Sequence, residues 1–308
     1  MRPLLSLVVA CLAGSVAAQA PSVTTRQRGG TFHEPPAQVD PVYLPLGPDT
    51  PHPDLAQRPL TVQLALDLPL RGGGRGQGSG TQGSTAASPT LQAMLRWRPI
   101  QGSHWFGQLV FYRYLNGDRQ QPWHPDFSYA FGYEHWRPGS WGLVYANYTG
   151  TRLHPDRAAG EGFSHFPQGQ WTLNRKFGVP TALEPWLLVG DGDSALCVGN
   201  LHLMPRYTRQ AGGAPGHWKR SLSLGCRYTR PQGWYADLAL FAWPERSQQQ
   251  PWDPDYTYGF GHESQWGGGT LTLRYSNYSG NRFPGRARGV GEGTFRSGSV
   301  TLSWGTEW

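Results

Sequence analysis

The sequence predicts an all-β fold: a twelve-stranded antiparallel transmembrane β-barrel, built from a six-strand half written twice. Three observations carry this reading. Apolar and small or polar residues alternate with period two in segment after segment. The connections between those segments alternate in length. Two stretches about 130 residues apart match each other.

The alternation comes first, because period two is the signature of a strand with unlike faces. Val62, Leu64, Leu66 and Leu68 alternate with Thr61, Gln63, Ala65 and Asp67. Leu91, Ala93, Leu95 and Trp97 alternate with Thr90, Gln92, Met94 and Arg96. The same pattern runs through Phe127–Glu134, Ser221–Tyr228 and Ser299–Trp304. Candidate strands lie near 60–70, 89–99, 104–114, 127–137, 141–150, 169–177, 194–204, 219–229, 233–243, 255–264, 269–279 and 297–307. Each is about ten residues, the length of a membrane-crossing strand.

Short connections fall at 100–103, 138–140, 230–232 and 265–268. Long ones fall at 71–88, 115–126, 151–168, 205–218, 244–254 and 280–296. Short turns on one side and long loops on the other is the pattern of a barrel in a bacterial outer membrane. The connection 178–193 breaks it, being long on the short-turn side; Trp186-Leu187-Leu188 marks an extra segment there.

The repeat is explicit. Residues 122–134 read PWHPDFSYAFGYE and residues 251–263 read PWDPDYTYGFGHE. Residues 145–152, YANYTGTR, match 275–282, YSNYSGNR, and Gly160-Glu161-Gly162 matches Gly291-Glu292-Gly293. This period far exceeds the 20 to 50 residues of solenoids and propellers, so one domain has two halves, about 60–177 and 194–308.

Composition agrees. Only 15% of the 308 residues are charged, against roughly 25% in an ordinary soluble domain. Mean hydropathy is nonetheless −0.52. With 14 Trp and 14 Tyr the chain is too aromatic for a disordered one. Its 42 Gly and 27 Pro follow no collagen period. An apolar outer face and a polar inner one reconcile the two figures. Net charge is +7, from 25 Arg, two Lys and 20 acids. Arginine suits bidentate contact with carboxylate or phosphate, although a GC-rich genome gives the same bias. No basic run exceeds two residues, which argues against nucleic acid.

Residues 1–20 read as a secretory signal peptide: Arg2, an apolar run from Leu4 to Ala18, and an Ala18-Gln19-Ala20 cleavage pattern. Val8-Val9-Ala10-Cys11 leaves lipidation at Cys11 as the alternative. Residues 21–59 form a Pro-rich leader expected to be disordered. The final segment puts Val300, Leu302 and Trp304 on one face and finishes on Trp308. Together with the signal peptide, the alternation and the loop asymmetry, this resembles the Gram-negative outer-membrane β-barrel proteins, over roughly residues 60 to 308. The resemblance implies residence in the cell outer membrane, contact with its lipid, and handling by the barrel-assembly machinery through the last strand.

Parity assigns Arg96, Arg98, Lys176, Arg227, Arg274, Asp67, Glu134, Asp237, Glu263 and His202 to the lumen. Arg96 and Arg227 occupy equivalent places, as do Glu134 and Glu263. Glu263 and Arg274 are spaced to pair across a hairpin. Such charges either stiffen a narrow barrel as ion pairs or select solutes at a constriction. On the loop side, Trp123, Asp126 and Arg152, with Trp252, Asp255 and Arg282 in the second half, combine rings with hydrogen-bonding groups in the manner of a sugar site. The alternative is loop capping, with Asp closing the turn.

Cys197 and Cys226 fall on neighbouring strands and the same face, so they are disulfide candidates; otherwise they are two small apolar side chains facing lipid. No nucleophile, zinc or phosphate-loop motif occurs, and no cofactor or metal is expected. The expected role is therefore passage or surface binding of polar or anionic saccharides, with a link to exopolysaccharide export. Two other classes stay open. One is a lipid-modifying barrel enzyme, with His135, His154, His165, His202 or His262 as base. The other is a soluble secreted β-domain that binds carbohydrate.

Overall fold

A computed structural model describes residues 59–70, 88–100, 103–116, 124–135, 138–147, 151–156, 162–178, 188, 190, 192–207, 216–250, 253–277, 281–286 and 295–307. The expected signal peptide, nearly all of the leader, and Trp123, Trp186, Leu187, Trp252 and Trp308 lie outside these residues.

Twelve strands appear in chain order: β1 (Leu60–Pro69), β2 (Thr90–Trp97), β3 (Trp105–Tyr114), β4 (Phe127–Glu134), β5 (Trp141–Asn147), β6 (Gln170–Gly178), β7 (Ser194–Tyr207), β8 (Gly216–Thr229), β9 (Trp234–Ala242), β10 (Tyr256–Trp266), β11 (Gly269–Asn277) and β12 (Ser299–Glu307). Each pairs antiparallel with its chain neighbours, and β1 pairs with β12, so the sheet closes. The closing register runs from Thr61↔Glu307 to Pro69↔Ser299. β7 and β8 are longer than expected, at 14 residues each, because pairing continues to Tyr207↔Gly216. Trp218 in that extension has φ 56° and is exposed; its left-handed backbone interrupts the alternation that would have revealed the extra residues.

Burial settles which face is which. In β9, Tyr235, Asp237, Ala239 and Phe241 are buried while Trp234, Ala236, Leu238 and Leu240 are exposed. In β2, Thr90, Met94 and Arg96 are buried while Leu91, Leu95 and Trp97 are exposed. The leucines and tryptophans are exposed on the outer wall, while the charged side chains are buried in the lumen together with some apolar and aromatic ones, the inverse of a soluble barrel. Trp97, Trp105, Trp141, Trp234 and Trp266, each more than half exposed, ring the short-turn end of the outer wall. Leu115, Phe163, Phe166, Trp218, Phe283 and Phe295 are exposed at the loop end. Trp243 does not join them. It has the lumenal parity of Phe241, and its Nε1 donates to Pro254 O at 3.2 Å.

Two outward tyrosines are buried as well. Tyr145 stacks under Phe166 at 4.5 Å and donates to Phe166 O at 2.7 Å. Tyr275 stacks under Phe295 at 4.2 Å and donates to Phe295 O at 2.7 Å. In each half a short 3-10 turn, Phe166–Gln168 or Phe295–Ser297, lies against the wall.

Small residues on the lumenal face make room for long neighbours. A Cβ at Gly261 would lie 2.6 Å from Tyr235 Oη and 2.5 Å from Leu273 O. Gly261→Val should therefore cost about 1–3 kcal/mol through overpacking. It should lower the urea midpoint and the fraction of compact, heat-modifiable band on unboiled gels. Gly107→Ala, at a position with open space around the added carbon, should change neither.

Candidate functional site in the barrel lumen

The lumen carries its charges toward the short-turn end, because Arg96 and Glu134 sit near the ends of β2 and β4 and Arg227 near the end of β8. In the first half, Arg96 Nη2 donates to Glu134 Oε2 at 2.9 Å, and Lys176 Nζ lies 3.5 Å from Glu134 Oε1. All three are buried. Lys176 also donates to Asn174 Oδ1 at 2.6 Å. The Arg96 guanidinium lies 3.9 Å over the Phe106 ring, a contact that offsets part of its desolvation.

The second half builds a fuller version. Arg227 Nε donates to Asp237 Oδ1 at 2.7 Å, and Arg227 Nη1 reaches Glu263 Oε1 at 3.5 Å. Arg274 Nη2 donates to Asp237 Oδ2 at 2.8 Å, and Arg227 lies 4.3 Å over Tyr235. The expected Glu263–Arg274 pair is replaced by Glu263–Arg227 and Asp237–Arg274. The register explains this. Thr272 lies opposite Glu263, and Gly261 lies opposite Arg274. Gly259 on β10 lies opposite Asp237; a Cβ there would lie 2.8 Å from Tyr275 O and in ordinary contact, at 3.6 Å, with the Arg274 guanidinium.

Midway up the lumen, His202 Nε2 lies 2.9 Å from Ser223 Oγ, and its Nδ1 lies 3.0 Å from both Thr172 Oγ1 and Gln170 Nε2. Asn200 Nδ2 donates to Ser223 Oγ at 2.9 Å. Higher still, Lys219 pairs with Asp253 at 2.5 Å and lies 5.0 Å over Trp243.

The loop-side candidates come together as latches. Asp126 accepts from Arg152 Nη1 at 3.2 Å and Leu153 N at 3.1 Å. Asp255 accepts from Arg282 Nη1 at 3.2 Å, Phe283 N at 3.0 Å, Arg286 Nη1 at 2.6 Å and Gln249 Nε2 at 2.9 Å. Asp255 is fully buried. Both carboxylates tie the returning loop to the strand start through an arginine and the backbone N–H that follows it, and Asp255 adds Arg286 and Gln249. Cys197 lies directly opposite Cys226, bonded through sulfur, on the outward face of β7 and β8.

Sequence reasoning left several partners out of the candidate site. Asp237 and Lys176 were placed in the lumen only by parity. Asp193 accepts from Gly190 N at 2.7 Å and from Tyr228 Oη; its neighbour Asp191 lies outside the described residues. The Asp253–Lys219 pair joins a loop to a strand end 34 residues back, a separation with no sequence signal.

No family model and no curated protein matches the chain. Among solved structures it is similar to the OmpF porin of Salmonella typhi in complex with daunomycin, at 7% identity and a TM-score of 0.35, covering 82% of this chain and 98% of that one. A bacterial polysaccharide outer membrane secretin follows at 10% identity and 0.32, covering 82% and 99%. A loop L8 deletion mutant of OmpT, an outer membrane protein of Vibrio cholerae, follows at 11% and 0.26, covering 81% and 98%. Likeness at this level says nothing of function.

Removing one partner from a buried ion pair strands the others. Glu134→Gln leaves Arg96 and Lys176 without their shared carboxylate and should cost about 3–5 kcal/mol in urea unfolding. A second expectation concerns pH. His124 stacks on Tyr114 at 5.0 Å, and burial, helped by Arg152, pushes its imidazole down to about 4. The folded protein thus binds this proton less readily than the unfolded chain, whose histidine titrates near ~6.5. The contribution of His124 is full above that value and is lost as pH falls toward 4. His124→Gln should flatten the loss of stability between pH 6.5 and 4, read as the difference between the two urea-midpoint profiles.

Proposed function

We propose that the chain is an outer-membrane β-barrel that admits polar, acidic solutes, saccharides foremost, to a charged lumen. The observation that carries this reading is the inverted burial. Leu238 and Leu273 are about half exposed on the outer wall, while Arg227, Asp237 and Lys176 are buried inside. Water would leave such a wall unsatisfied, whereas hydrocarbon suits it. The tryptophan ring at the short-turn end fits a membrane interface. The same pattern argues against a soluble secreted domain, which would bury its leucines.

The preference for acidic solutes rests on the chain's net charge of +7 and on Arg96 and Arg227 toward the short-turn end of the lumen. A role in exopolysaccharide export is the allied reading. Lipid and the barrel-assembly machinery are its expected partners. Planar-bilayer recording is the test: purified barrel should give small conductance steps that acidic oligosaccharides block. Silent bilayers, together with no oligosaccharide binding in solution, would sink the reading.

A second reading has one contact in its favour. Ser223 and His202 are spaced as a nucleophile and its base, with Thr172 on the far nitrogen. This geometry supports the enzyme alternative. A fluorophosphonate that labels the barrel but not Ser223→Ala would favour it; equal labelling of both would remove it.

The membrane reading makes a stability prediction. Leu238→Arg, at the middle of the outward face of β9, should cost about 2–4 kcal/mol in lipid vesicles. Thr257→Arg on the inward face should show no such dependence on lipid.

A further inference from the structure

The two lumen clusters are built alike but not completed alike. Arg96 faces Gln108 across β2 and β3, as Arg227 faces Asp237 across β8 and β9. Phe106 and Tyr235 carry the two guanidiniums in the same way. The acid that takes Arg227 Nε in the second half is therefore an amide in the first.

The consequence is visible atom by atom. Arg96 Nε is buried and has no hydrogen-bond partner among the described residues, and neither has Gln108 Oε1. Arg98, the next lumenal residue below, also has a buried Nη1 without a partner among them. Burial and the neighbouring Arg96 hold the Arg98 guanidinium below its usual range, with Glu307 and Glu134 opposing. Among the described residues, Arg96, Arg98 and Lys176 thus face two acids, Glu134 and Glu307. Arg227 and Arg274 face Asp237 and Glu263, a balanced set.

We propose that the lumen floor of the first half is a binding site for a single carboxylate, which takes toward Arg96 the role that Asp237 takes toward Arg227. Arg96 Nε donates to the guest oxygen that corresponds to Asp237 Oδ1. Gln108 turns its amide so that Nε2 faces the guest; the two amide atoms exchange positions at no covalent cost. Arg98 supplies the third donor. The guest brings the negative charge that the cluster lacks, and a buried cation gains most from a partner that is both charged and hydrogen-bonded. Acetate is the simplest ligand of this class, and a uronic acid is its saccharide form. The proposal deepens the reading of an acidic-solute barrel and rests on it only for the identity of the natural guest.

Thermal unfolding of the purified barrel in detergent, titrated with sodium acetate at ionic strength held constant with sodium fluoride, tests the site. Stabilisation by a ligand that binds only the folded state grows with concentration in a saturable, logarithmic way. Wild type should show it, and sodium glucuronate should reproduce it if saccharide acids enter. Gln108→Asp supplies the carboxylate in place. It should unfold at a higher temperature than wild type without acetate and lose the acetate response. Asp237→Asn opens the equivalent place in the second half and should enlarge the response, which keeps the test alive if Gln108→Asp fails to fold. A flat wild-type titration, the result if a water bridges Arg96 and Gln108, overturns the proposal, as does an unchanged response in Gln108→Asp. Bilayer recording of the same preparation separates the two readings. A barrel that responds to acetate but stays silent keeps the site and loses the passage; one that conducts without an acetate response does the reverse.

Discussion

Closure is the constraint from which the rest of this molecule follows. A strand at the edge of an open sheet presents a row of unpaired amides and carbonyls, and in hydrocarbon each would cost several kcal/mol. The pairing of β1 with β12 removes that edge. Once the sheet is a cylinder, every residue has one of two addresses, wall or lumen. Parity then shapes its chemistry: exposed leucine and tryptophan on the wall, and buried arginine, glutamate, serine and glycine within, beside a small apolar cluster of Phe106, Ala130, Val144 and Ala146. Because the cylinder is narrow, lumenal residues must also fit one another. Gly261 on β10 admits the Tyr235 ring.

The two addresses were legible in the chain because alternation is local. Twelve strands could be placed to within a few residues, and the sides of Arg96, Glu134, Arg227 and Glu263 followed from counting. Which charge meets which was not legible. The Arg274–Asp237 pair depends on the register of three strands, which has no local signal. Nor did alternation reveal that Tyr145 and Tyr275 would be outward yet covered, since the covering rings arrive from loops some 20 residues further along. Trp243, unlike the exposed tryptophans of the short-turn end, has lumenal parity and donates to Pro254 O. The Asp126 and Asp255 segments suggested both a sugar site and a capped turn. Their carboxylates are engaged by the returning loop, and Trp123 and Trp252 lie outside the described residues.

The resemblance of the two halves extends from letters to bonds. Tyr145 and Tyr275, Asp126 and Asp255, and Arg96 and Arg227 make corresponding contacts. A duplicated six-strand half accounts for this economically, and we propose it as the origin of the barrel. The differences then become informative. Where a structural contact is kept in both halves, the fold requires it. Where one half replaces an acid with an amide, as at Gln108 and Asp237, the halves are free to take different roles.

The Cys197–Cys226 bond joins β7 to β8 on the outside of the wall. If that wall is bathed in lipid, no aqueous oxidant reaches the sulfurs once the barrel is seated. The bond must then be made during transit through an oxidising compartment, while these two strands are still wet. The hairpin that opens the second half would reach the membrane with its register already locked. The remaining strands would have one fixed seam against which to align.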